Sequence, residues 1–245
     1  MLVEGYAAET YGERIAEIYD ELYPELSDTD AMVSLLQDLS GNGPVLELGI
    51  GTGRVALPLI RRGVEVHGID ASHAMVARLR AKPGGDGPRV TIGDFGDFPV
   101  EGRYSLIFVV FNTLFTLPTQ EEQVMCFARV AEHLTDDGRF LVGAFVPDVT
   151  IFDKGQRTSA PNISLDRVQI DVTLHQRATQ TVMSQHLIFT PDETRFYPVK
   201  LRYIWPSEMD LMAKLAGLQL RSRWGGWRGE PFDDRSEMHV SVYGR

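Results

Sequence analysis

The sequence predicts an α/β protein with a doubly wound, mostly parallel sheet, an N-terminal helical lid and an inserted antiparallel sheet. Three observations carry this expectation. From residue 44 onward short apolar runs alternate with helical patterns; a glycine-rich loop joins the first run to the first helix; and after Pro147 the hydrophobic period changes from helical to two.

Residues 13–39 read as helical, with Ile15, Ile18, Tyr19 and Leu22 on one face and, beyond a break at Pro24, Met32, Leu35, Leu36 and Leu39 on another. Gly41-Asn42-Gly43-Pro44 ends this segment. A strand at 45–48, a helix at 53–62, a strand at 64–69 and a helix at 72–82 follow. After a turn at 83–88 come a short strand at 90–92 and an apolar run at 106–111. A helix at 119–135, the turn Asp136-Asp137-Gly138 and a strand at 140–145 complete the series. Such alternation implies right-handed crossovers and parallel pairing.

The stretches 167–176, 182–189 and 196–205 alternate apolar and polar residues with no helix between them, which predicts an antiparallel meander. Pro206-Ser207 then opens a helix to about 216, with Ser207 as N-cap and Asp210 three residues on. Gly217 closes it, and strands at 218–224 and 238–243 finish the chain. The expected division is a lid at 1–43, a core at 44–147 with 206–245, and an insertion at 148–205 that shapes a substrate pocket and mediates assembly as a homo-oligomer.

Composition narrows the function classes. The 245 residues are 43% hydrophobic and 24% charged, enough for a sizeable core, and their net charge of −10 repels a phosphate backbone, so no nucleic-acid partner is expected. One cysteine, Cys126, asks for no oxidising compartment. No run approaches the roughly 18 apolar residues of a membrane span and residues 1–10 carry no signal-peptide pattern, so no membrane partner and a cytoplasmic location are expected.

The strongest constellation is Val45-Leu46-Glu47-Leu48-Gly49-Ile50-Gly51-Thr52-Gly53-Arg54, with Asp70 ending the next strand seventeen residues beyond Gly53. Glycines let a backbone turn tightly and approach a ligand, and a carboxylate at the end of strand two suits a ribose diol. A dinucleotide fingerprint starting at Gly49 needs glycine at 54, where this chain has arginine. The loop, with Glu47 entering it, instead resembles motif I of the class I S-adenosylmethionine-dependent methyltransferases, whose fold is Rossmann-like.

That resemblance covers about residues 44–147 and implies further roles. Gly49, Gly51, Gly53, Asp70 and the neighbouring Ala71 would hold the cofactor. Asp94 would meet the adenine amino group and Phe95 pack on the ring. Phe111 and Phe115, with Asn112, fall where the fourth strand ends and the reacting methyl would lie. Tyr11 and Tyr19, eight residues apart, are similar to the lid tyrosines of small-molecule N-methyltransferases of lincosamide and amino-sugar antibiotic biosynthesis. By that likeness Tyr19 reaches the cofactor carboxylate, and Tyr11 orients the substrate amine as a catalytic residue beside Phe115.

Substrate class is read by elimination. Asn112 precedes Thr-Leu-Phe and not the Pro-Pro-aromatic of nucleobase amino methyltransferases, residues 105–116 hold no acid for a catechol-type metal cluster, and no glutamate pair lies between Tyr104 and Leu117. The expected reaction is methyl transfer from S-adenosylmethionine to an amine nitrogen of a small secondary metabolite, without metal. O-methylation is the nearest alternative; a nicotinamide-dependent oxidoreductase and a silent cofactor-binding module are the alternatives outside the class. His175, His186 and His239 fall on strands whose sheet is placed to roof a pocket.

Overall fold

The computed structural model describes residues 5–23 and 28–245, so the break expected at Pro24 lies outside the described residues, as do residues 1–4. The N-terminal helices are α1 (Thr10–Ile15), α2 (Tyr19–Leu22) and α3 (Thr29–Ser40), and α3 packs in the core and not over the cavity as the expected lid at 1–43 would have it. The core follows as β1 (Val45–Leu48), α4 (Ala56–Arg61), β2 (Val66–Asp70), α5 (His73–Arg80), β3 (Arg89–Ile92), β4 (Tyr104–Val109), α6 (Gln120–His133) and β5 (Leu134–Phe145). Four antiparallel strands come next, β6 (Gln156–Ile163), β7 (Val168–Gln176), β8 (Thr181–Phe189) and β9 (Thr194–Arg202); then α7 (Pro206–Leu215), β10 (Gln219–Trp224) and β11 (Met238–Gly244).

The main sheet has seven strands in the order β10-β11-β5-β4-β1-β2-β3. Pairings among β1 to β5 are parallel, whereas β11 runs antiparallel to both β5 and β10. Alternation along the strands splits the core between two faces. Ile107 and Val109 pack with Phe127 and Val130 of α6 and Met209 of α7, while Leu106 and Phe108 pack with Val33 and Leu36 of α3 and Leu59 of α4. Each such side chain contributes roughly 1.5–3 kcal/mol by leaving water.

Caps explain the helix starts. Thr119 and Glu122 form a reciprocal capping box on α6, and Ser72 Oγ accepts from Met75 N–H on α5. Three expectations need correction. The α7 cap is not Ser207: Pro206 sits at the first helical position after Trp205, with no side-chain cap, because proline there is already preset for the helix. The turn at 136–138 is an irregularity inside β5, where Tyr104 pairs with Leu134 and Leu106 with Arg139. The meander has four strands, since β6, polar and carrying Pro161, adds an edge.

His239, on β11, is fully buried in the main sheet and does not roof a pocket. Its Nδ1 shares a 2.9 Å hydrogen bond with Ser241 Oγ, and Nε2 has no partner. Burial, helped by the nearby Arg223 charge, lowers the imidazole to about 4. Between its ordinary value of about 6.5 and 4 the unfolded chain therefore binds a proton that the folded chain refuses. The associated stability is complete above pH 6.5 and is lost as pH falls toward 4. Urea unfolding at pH 7.5 and pH 5 is expected to show wild type losing about 2 kcal/mol more than His239→Gln. Equal losses would contradict the buried neutral imidazole.

Candidate functional site

A cavity of about 660 Å³ opens across the ends of β1, β2, β3 and β4, bounded on the other side by the lid and by β8 and β9. Gly49 and Gly51 follow β1, Asp70 and Ala71 close β2, Asp94 and Phe95 follow β3, and Phe111 and Asn112 follow β4; all line it. Gly49 adopts φ +75°, and a Cβ there would stand 2.5 Å from Thr113 Cγ2, so both the turn and the approach of the next loop exclude a side chain. Phe111 and Asn112 are left-handed as well, at φ 56° and 66°. Asn112 Oδ1 accepts the Phe145 N–H at 2.8 Å, which holds this unfavourable turn in place.

The carboxylates are differently placed. Asp70 accepts Gly51 N–H at 2.7 Å on Oδ2 and Ser72 N–H at 2.8 Å on Oδ1, so it fixes the glycine loop as well as facing the cavity. Asp94 accepts Gly96 N–H at 2.8 Å, and burial raises both carboxyls above their ordinary value. Glu47 lies in β1, every residue of which is buried, and it does not reach the cavity wall. Its Oε2 has no partner, and burial raises its carboxyl well above the usual range, with Arg54 opposing.

Arg54 is the residue that sequence reasoning missed. Its guanidinium carbon is 3.5 Å from the Phe111 ring centroid and 5.8 Å from that of Tyr19, and Nε and Nη1 are buried without partners. A face of the Phe111 ring is thus covered by this arginine. The available signal was a basic residue directly after Gly53, read only as a missing third glycine.

The lid closes the cavity with Tyr6, Tyr11, Tyr19 and Tyr23. Burial, with Tyr23 and Tyr19 alongside, raises the Tyr11 phenol far above its ordinary value, so it remains protonated. Two lid carboxylates grip the core: Glu13 accepts from Ser72 Oγ at 2.9 Å and Ala74 N–H at 3.0 Å, and Asp20 accepts from Thr52 Oγ1 at 2.6 Å and pairs with Lys82 Nζ at 2.8 Å. Two others grip the antiparallel sheet, Glu17 with Arg195 at 2.9 Å and Glu21 with Arg167.

The structure does not bring Phe115 or Gly53 to the cavity. Phe115 is fully buried, edge-on to Phe145 with centroids 5.0 Å apart, because its short 3-10 turn points it into the core below the wall formed by Thr116 and Leu117. Of the three roofing histidines only His186 lines the cavity. His175 instead shares a 3.0 Å hydrogen bond with Tyr203 and stacks on Phe152. Among the described residues no group of three or more His, Cys, Asp or Glu side chains is placed to hold a metal ion, and no helix is long and apolar enough to cross a membrane.

Comparison with known proteins agrees with this architecture. A family profile described as "Methyltransferase domain" matches residues 45–138. The CcbJ methyltransferase of Streptomyces caelestis superposes with a TM-score of 0.92 at 36% identity, covering 98% of this chain and 99% of its own. The Cypemycin N-terminal methyltransferase of a Streptomyces species is 27% identical over 96% of this chain and 97% of its length. CalS10, an amino pentose methyltransferase from Micromonospora echinaspora involved in calicheamicin biosynthesis, shares the fold with a TM-score of 0.69 at 17% identity over 93% of this chain and 97% of its own. With 36% identity along nearly the whole of one such enzyme, and the glycine loop and strand-end acids in one cavity, the chain belongs to the S-adenosylmethionine-dependent methyltransferases of class I fold.

Proposed function

We propose that the enzyme methylates an amine nitrogen of a small secondary metabolite of the antibiotic type, without a metal ion. The observation that carries this is a single cavity lined both by the glycine loop with its acids and by lid tyrosines and strand residues of the antiparallel sheet. Nitrogen as the acceptor atom is supported by the end-to-end likeness to the Cypemycin N-terminal methyltransferase.

The residues present suit the cofactor. Buried Arg54 N–H groups without partners, on a side chain that lines the cavity, call for an anion, which matches the α-carboxylate of an amino acid moiety. Gly49 and Gly51 would let the backbone approach it, Tyr19 would share its carboxylate with Arg54, Asp70 and Ala71 would meet the ribose, and Asp94 and Phe95 the adenine. When bound, S-adenosylmethionine supplies a sulfonium methyl group for in-line displacement by a neutral amine. The chain's part is positioning: residues 44–147 and 206–245 hold one reactant, residues 148–205 shape the space for the other, and the lid excludes water. Tyr11, kept protonated, orients the amine through its hydroxyl.

The test is transfer of label from methyl-14C S-adenosylmethionine to an amino-pentose glycoside, a short peptide with a free N-terminus, and analogues bearing hydroxyl in place of amine. Label in the amines alone is expected; label in the hydroxyl analogues would replace the reading with O-methylation. Tyr11→Phe is expected to lower kcat about tenfold while the thermal shift given by S-adenosylhomocysteine stays unchanged. Wild-type turnover in that variant would reduce Tyr11 to packing.

A further inference from the structure

We propose that His186, held by Asp171, takes the proton from the acceptor amine, an inference that rests on the amine reading above. Register places the two residues directly opposite each other on β7 and β8, with Asp171 Oδ1 2.7 Å from His186 Nδ1. The same oxygen accepts Gln169 Nε2 at 3.0 Å, which fixes the carboxylate from its own strand. A carboxylate at Nδ1 selects the tautomer with its proton there and leaves the Nε2 lone pair free. Nε2 has no hydrogen-bond partner among the described residues, and His186 lines the cavity together with the lid tyrosines.

Several other titratable groups of the cavity are engaged elsewhere. The Tyr11 phenol stays protonated through burial. Both Asp70 oxygens accept backbone N–H groups of the glycine loop and α5, and Asp94 holds Gly96 N–H. Glu122 caps α6 by accepting from both the N–H and the hydroxyl of Thr119. Register sets His186 beside Asp171 on β7 and Tyr197 on β9, and the titratable groups that line the cavity with it are Tyr6, Tyr11, Tyr19, Tyr23, Arg54, Asp70, Asp94, Glu122 and Lys200.

An amine that arrives as ammonium has no lone pair for displacement. Its N–H bond breaks with the electron pair remaining on nitrogen, and the proton adds to the Nε2 lone pair. The resulting imidazolium is stabilised by the Asp171 carboxylate until solvent takes the proton.

His186→Gln and Asp171→Asn test this with the amino-pentose glycoside and the free-N-terminal peptide as acceptors from pH 6.5 to 10. S-adenosylhomocysteine is expected to shift the melting temperature of both variants as it does wild type. At pH 7 kcat falls about 10²-fold in His186→Gln and about tenfold in Asp171→Asn. The deficit closes as pH rises through the amine's own pKa, where the acceptor arrives neutral. Unchanged kcat at pH 7, or a deficit equal at every pH as a packing role gives, overturns the proposal. If wild type methylates neither amine, the amine reading fails separately. Ring nitrogen NMR of the S-adenosylhomocysteine complex then decides: a proton on Nδ1 and none on Nε2 at pH 8 supports the acceptor role, and a proton on Nε2 overturns it.

Discussion

Replacing Arg54 with methionine is expected to weaken S-adenosylhomocysteine binding about 10²- to 10³-fold while leaving the empty protein at least as stable. Methionine keeps an unbranched apolar side chain to occupy the space beside Phe111 but removes the guanidinium that stacks on that ring and two unpartnered nitrogens. Each charge-assisted hydrogen bond to a carboxylate contributes roughly 1.5–3 kcal/mol, so a two-pronged contact accounts for about 3–4 kcal/mol of affinity. In the empty protein those same nitrogens lack partners, and their removal relieves a desolvation cost. Calorimetric titration and urea unfolding read the two effects separately. Unaltered affinity would show that Arg54 serves the fold alone, and a large loss of stability would show that its stacking outweighs its missing partners.

The second large effect is expected from Gly53→Ala, which should lose about 3 kcal/mol of stability. Gly53 has φ +79°, a conformation that disfavours any side chain, and its Cβ would stand 2.2 Å from Leu79 Cδ1 and 3.1 Å from Leu57 Cγ. Leu79 is fully buried, so its methyl can yield only by disturbing the packing of α5 against α4. Gly53 therefore acts by letting helix and loop pack closely, and its effect on cofactor affinity should follow from the displaced loop. Chemical unfolding measures the loss; a change below about 0.5 kcal/mol, the range of ordinary surface substitutions, would mean that the loop relaxes freely.

The parallel half of the fold was legible because its strands are apolar on both faces and its helices are amphipathic, so each period stands out locally. What escaped was decided by partners distant in sequence. β6 reads as a polar stretch because it is an edge strand whose apolar neighbours lie in β7. α4 begins only at Ala56, since Gly53 at positive φ delays the helix that hydrophobic period alone starts at 53.

At the site, glycines and strand-end acids announce themselves through spacing, whereas Arg54 becomes legible only when Phe111 and Tyr19 are seen to close on it from other elements. Phe115 shows the reverse, since its place after strand four suggests the cavity while one turn of 3-10 helix carries it into the core. His186 stands apart from His175 and His239 only through the register that sets it against Asp171.

The lid's two-sided grip has a consequence for the order of events in a catalytic cycle. Glu13 and Asp20 hold the core beside the glycine loop and α5 while Glu17 and Glu21 hold the antiparallel sheet, all within one segment of nine residues, 13–21. Opening the cavity on this side loosens contacts to both the core and the antiparallel sheet. Each contact at this half-exposed seam is worth at most about 1 kcal/mol, beside the buried packing of Ile15 and Ala16, so the opening of the segment is expected to be sensitive to ionic strength. Raising salt is therefore expected to speed product escape without changing the chemical step, which single-turnover and steady-state rates compared at two ionic strengths would check.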